Sequence, residues 1–277
     1  GAWTVPKYKV WGELTFKWNW SKFDYSPENN LDPKVNDARS WGWSMEPKIE
    51  YGITDWFNVL ASIEYKEAKY KEYGRAAGNG PFRRKNNGIT AIRLGGKLRF
   101  LEKPAVVSGQ VKVHIYPGYG NDDGDDPAFR NQPAIGDGED TVELRGLIGK
   151  EFYVPLGMMF DESDYSLKCY GGLELGYAIK NRDVCNNFPY LIEAGFWPLD
   201  WLLIKTEIDG IFSHDGTGTV EKEYATWRIG PVFQVLSGDY VTKQGKMFNI
   251  ELQYGNTFWG RNTAADQEFV VKAQSQF

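Results

Sequence analysis

The 277-residue chain contains no run of 18 or more apolar residues, which excludes a transmembrane helix. Cysteine is scarce: Cys169 and Cys185 form no Cys-x-x-Cys pair and have no histidines at metal spacing. Cys169 falls low on an expected strand and Cys185 in the loop beyond its far end, so two free thiols are expected. Lysine and arginine form no block and the net charge is −5, leaving nucleic-acid binding without electrostatic footing. The chain opens at Gly1 without a charged-then-apolar leader, so an exported protein would have lost its signal peptide already.

Aromatic residues are abundant, at 16% with 11 Trp, beside 25% charged residues and a mean hydropathy of −0.50. That balance suits a membrane-spanning barrel, because half of each strand can be polar. Alternation with a period of two runs through the chain. In residues 8–20, Tyr8, Val10, Leu14, Phe16, Trp18 and Trp20 share one face, and Trp11, Glu13, Thr15 and Lys17 the other. Similar strands are expected over 40–51, 57–66, 92–100, 107–116, 141–153, 167–180, 188–197, 202–212, 224–235, 248–258 and 268–277. Polar loops at 21–39, 69–87 and 117–140 alternate with mostly shorter turns. The expectation is one all-β domain over 1–277, a transmembrane antiparallel up-and-down β-barrel of about twelve strands. Pro47 and Pro231 oppose strand pairing and leave ten or fourteen strands open.

The faces suggest roles. Hairpin pairing brings Trp18 and Trp20 beside Trp41 and Trp43 as an interfacial aromatic girdle, and Trp56 and Trp201 follow similar turns. Arg93, Lys97, Arg99, Lys112 and Arg145 make a basic stripe on neighbouring inner faces, with His114, Glu143, Glu174, Glu207 and Glu251 also facing inward. Anion selection by the stripe and its neutralisation by acids are equally open. Ser213-His214-Asp215-Gly216 is no triad signal, because triad members meet in space, and no enzymatic activity is expected. The acidic loop offers Asp122, Asp123, Asp125 and Asp126 as a weak Ca²⁺ site, though not in EF-hand order. It also offers a divalent-ion bridge to lipopolysaccharide or a site for a basic partner. No cofactor is expected.

The final strand sets Phe269, Val271, Ala273 and the last residue, Phe277, against Glu268, Val270, Lys272, Gln274 and Gln276, with Ser275 interrupting the apolar face. With this aromatic ending and whole-chain alternation, the sequence resembles Gram-negative outer-membrane β-barrels. It is also similar to the outer-membrane family named for the meta-pathway of phenol degradation. That likeness lies in Ala2-Trp3-Thr4-Val5-Pro6, Glu50-Tyr51-Gly52-Ile53-Thr54-Asp55 and the terminal Phe277. The resemblance implies a place in the outer membrane, contact with lipid, and a final strand read by the barrel-assembly machinery. It also implies passage of small, often apolar or aromatic molecules, and brings no catalytic or binding residues. A passive channel for small solutes is the expectation. A closed barrel anchoring a surface assembly and a soluble, aromatic-rich carbohydrate-binding β-sandwich are the alternatives.

Overall fold

The computed structural model describes residues 1–73, 82–117, 133, 135–136, 138–155, 166–181, 185–214, 222–236, 239–243 and 245–277. Twelve long strands form a closed antiparallel barrel. In chain order they are β1 (Val10–Ser21), β2 (Arg39–Thr54), β3 (Phe57–Glu72), β4 (Phe82–Leu101), β5 (Val106–Ile115) and β6 (Thr141–Pro155). They continue as β7 (Ser166–Lys180), β8 (Asn186–Leu199), β9 (Leu202–His214), β10 (Glu223–Leu236), β11 (Met247–Arg261) and β12 (Gln267–Gln276). Each pairs with the next, and β1 pairs with β12 from Trp11↔Gln276 to Trp20↔Gln267, so the sheet has no free edge. We call the end holding both chain termini the turn end and the opposite one the loop end.

The alternation reads directly into the two faces. Leu14, Ile49, Ile63, Leu94, Leu144, Leu175, Ile192 and Phe258 are exposed on the outer wall. Glu50, Lys97, Asn249, Glu251 and Gln253 are at most 2% exposed inside. Such an inverted distribution is what a bilayer-spanning barrel requires, and it overturns the soluble-sandwich alternative.

Several strands run a few residues past their expected ends, most of all around 69–87. The stretch 69–87 is not wholly loop, because β3 runs to Glu72 and β4 starts at Phe82, paired through Lys69↔Lys85. Backbone pairing needs no apolar side chains, and Glu67 binds Lys69 (2.5 Å) and Lys85 (2.7 Å) to hold the polar overhang together. Within 21–39, Phe23–Tyr25 and Leu31–Pro33 join Thr263–Ala264 in a small second sheet.

The prolines are accommodated without changing the count. Pro47 pairs with Leu14 of β1, but the β2–β3 register passes from Met45↔Tyr65 to Lys48↔Ser62. Pro231 pairs with Ile204, and the β10–β11 pairing passes in unchanged register from Ile229↔Tyr254 to Val232↔Glu251. Each missing N–H coincides with a gap in one ladder. Cys169 and Cys185 are not joined in a disulfide, as expected.

Candidate functional site in the barrel lumen

The turn end of the lumen is occupied by the chain itself. Residues 1–6 fold back inside instead of simply leading into β1. Trp3 packs in an apolar cluster with Val106, Leu147, Tyr170, Trp197, Leu203, Val232 and Val241. The wall is shaped for it: a Cβ at Gly149 would lie 2.5 Å from the Trp3 ring. Val5, fully buried, packs on Trp11 and Met247. With its amide oriented to satisfy both groups, Asn58 accepts from Val5 N (2.6 Å) and donates to Val5 O (3.1 Å).

The two internal motifs of the family resemblance meet here. Thr4 Oγ1 donates to Asp55 O (2.6 Å), and Lys7 N donates to Asp55 Oδ1 (2.9 Å). A Cβ at Gly52 would lie 2.2 Å from Pro6 O, so a glycine is needed there.

A second insertion comes from the β10–β11 connection. Asp239 accepts from the backbone N–H groups of Val241 (2.9 Å) and Thr242 (2.8 Å) and pairs with Lys168 at 3.1 Å. Burial opposes ionisation of this carboxyl, but the Thr242 N–H and Lys168 outweigh it and hold its pKa below the ordinary range. The connection then places Tyr240 Oη 3.2 Å from Glu251 and Lys243 Nζ 3.2 Å from Glu50. Sequence reasoning missed both insertions. The apolar Trp3 and Val5 ahead of Pro6 were the available signal for the first.

The stripe of cations on β4–β6 is neutralised residue by residue. Arg93 bridges Glu46 and Glu64, both at 2.7 Å. Lys97 pairs with Glu50 at 3.1 Å, and Lys112 with Glu143 at 2.9 Å. Arg145 spans Glu143 (2.6 Å) and Glu174 (2.8 Å). Arg99 stands apart, 3.7 Å from Glu102 at the turn end. His114 Nε2 lies 3.9 Å from Glu143 and has no hydrogen-bond partner among the described residues. A second network holds the opposite side. Lys205 meets Glu207 (2.5 Å) and Glu251 (3.4 Å), and Lys272 meets Glu251 (2.9 Å) and Glu207 (3.5 Å). Arg228 binds Asp209 and Glu268. Pairing satisfies these charges, as burial demands.

Beside it, the inner wall of β11 and β12 is different. Asn249 Oδ1, both amide atoms of Gln253 and of Gln276, and Gln274 Oε1 are buried without a hydrogen-bond partner among the described residues. A cavity of about 120 Å³ is bounded by Trp3, Trp11, Glu13, Tyr170 and Lys205 among others and, from this wall, by Gln274. Towards the loop end lies a larger space of about 490 Å³, bounded by Glu64, Lys66, Thr90, Ile211 and Ser213 among others.

The remaining sequence candidates are scattered. Trp18 pairs with Trp43, and Trp20 with Trp41, near the loop end. Trp56 and Trp201 are exposed at the opposite end, so the indoles form two groups at two heights. Phe269 faces outward against Trp18, with ring centroids 6.3 Å apart. Val271 pairs with Phe16 and Leu252, and Phe277 is 71% exposed beside the start of β1. His214 lies at the loop end beside Phe188. Asp122, Asp123, Asp125 and Asp126 lie outside the described residues.

No protein-family model and no curated relative matches the sequence. Among solved structures, the chain is similar to the COG4313 outer membrane channel from Pseudomonas putida F1. The TM-score is 0.66 at 11% identity, covering 100% of this chain and 98% of that one. A weaker likeness, TM-score 0.47 at 11% identity over 98% and 91% of the two chains, links it to the transport unit of the autotransporter AIDA-I from Escherichia coli. That second value is too low to bear on the fold. At such identity the first likeness establishes architecture alone: this chain has an outer-membrane-type β-barrel fold.

Proposed function

We propose that this chain is a bacterial outer-membrane channel that passes small solutes passively along a narrow lumen. The amide atoms of Asn249, Gln253, Gln274 and Gln276 that lack a partner among the described residues carry the reading. A buried polar atom without a partner costs about 1–3 kcal/mol, so these atoms, lying on either side of the paired Glu251 and Lys272, call for water or a polar solute. The neutralised cations on β4–β6 argue against strong anion selectivity, leaving size and hydrogen bonding as the filter. Lipid would contact the outer apolar wall, and Phe269, Val271 and Phe277 would serve as the assembly signal.

The inserted residues 1–6 favour a second reading, a closed barrel serving as an anchor. Planar-bilayer recordings on the full chain and on Trp3→Ala separate the two. Small steady currents that grow in the variant support the channel. Silence from both proteins at every voltage leaves the anchor.

A further inference from the structure

We propose that the central lumen cavity is a binding site for a small uncharged molecule bearing hydroxyl groups. The inference rests on the channel reading and adds a class of solute to it. Volume, charge, unpartnered atoms and aromatic walls each point the same way.

The cavity, about 120 Å³, has room for at least four waters, or for a compound of roughly six non-hydrogen atoms. Its ionic lining sets Glu13, Glu50 and Glu193 against Lys48, Lys205 and Lys243, and the Gly1 ammonium that also borders it is neutralised by Glu174 at 2.8 Å. The cations are already committed. Lys48 pairs with Glu50 at 3.0 Å, Lys243 with Glu50 at 3.2 Å, and Lys205 with Glu207 at 2.5 Å. A guest of either sign would leave a net buried charge, which is costly; a neutral one would not. The rings are partly taken as well, with Lys48 and Lys243 over Trp11 at 5.0 and 4.2 Å. That removes the usual cage for a cationic guest.

The unmatched atoms ask for hydrogen-bond donors. Gln274 donates through Nε2 to Glu13 at 2.7 Å, and its Oε1 is left without a partner. Tyr170 Oη also has no partner among the described residues, in a side chain only 2% exposed. Gln274 itself is 5% exposed. Glu13 has no cation within 4.0 Å among the described residues, so its carboxylate can accept further. Hydroxyl groups satisfy these acceptors and the phenol together. Trp3 and the Tyr170 ring supply apolar faces for the carbon skeleton, which water alone would leave unused.

The test is saturation-transfer NMR on the full chain in detergent, with glycerol and erythritol as neutral probes. Propylammonium and propionate are the charged probes of similar size. Saturable transfer from the two polyols and none from the ions is the expected result. Tyr170→Phe and Gln274→Leu should each weaken polyol binding by about three- to tenfold, the worth of one neutral hydrogen bond. Heat-modifiable gel migration checks that each variant is folded. Equal signals from ions and polyols, or no polyol signal, would overturn the assignment and leave a water-filled cavity. Bilayer currents are measured separately. Current without polyol binding sinks this site and spares the channel, whereas binding without current does the reverse.

Discussion

Two inner walls of this barrel solve the same problem in opposite ways. The wall of β5 to β10 at the turn end is covered by the chain's own Trp3, in a cluster with Leu147, Leu203 and Val232. The wall of β11 and β12 keeps Asn249, Gln253, Gln274 and Gln276 amide atoms without partners. Where the chain fills the lumen, the wall is apolar and shaped by Gly149. Where the wall stays polar, only Gln274 borders the central cavity, and the amide atoms of Asn249, Gln253 and Gln276 are buried. The difference separates the part of the lumen that the chain itself fills from the part that the proposed channel would use.

The sharpest way to break this contrast is to remove the filler. Trp3→Ala should cost the docked segment about 3–5 kcal/mol, as other large-to-small core changes do, and raise single-channel conductance. Unchanged conductance would mean that residues 1–6 do not obstruct the path. Next, Lys205→Met removes a shared cation from Glu207 and Glu251. Breaking a buried pair costs about 3–5 kcal/mol, and Lys272 nearby places this case at the lower end. Urea unfolding followed by gel migration should show it, and an unshifted midpoint would contradict the network.

Gly149→Val tests the fit of the wall. Its added atoms enter the space of the Trp3 ring, and overpacking costs about 1–3 kcal/mol. Conductance should rise as in Trp3→Ala, and combining the two changes should add little. Gln253→Leu, on the contrasting wall, removes two unpartnered atoms, so stability should move by less than about 1 kcal/mol. Conductance should nonetheless fall. A large stability loss would show that Gln253 has a structural partner.

The smallest effect is that of acid on the Asp239 turn. Its docked pKa lies below the free aspartate value of about 3.9. A carboxyl depressed on docking stabilises the docked state above the free value, and that stabilisation is lost as pH falls through the docked value. Currents should therefore hold steady from neutral pH to about 4 and rise below it. Asp239→Asn should remove that acid-dependent rise.

Much of this was legible in residues. The twelve strands followed from alternation because the side-chain period of a strand is fixed at two, and Pro47 and Pro231 did not alter the count. Inward charges such as Glu251 and Lys97 were readable for the same reason. The pairing of Arg93 with Glu46 and Glu64 was not, since partners 47 and 29 positions away meet only through register. The stretch 69–87 was misjudged because a water-exposed ladder needs no apolar face.

By itself, the sequence determined which side of each strand meets lipid, since one slipped residue would turn every apolar side chain inward. Only the tertiary structure decided what fills the barrel. Trp3 becomes a lumen residue because the closed wall offers Gly149 and an apolar cluster at one height, and no periodicity within residues 1–6 records that surface.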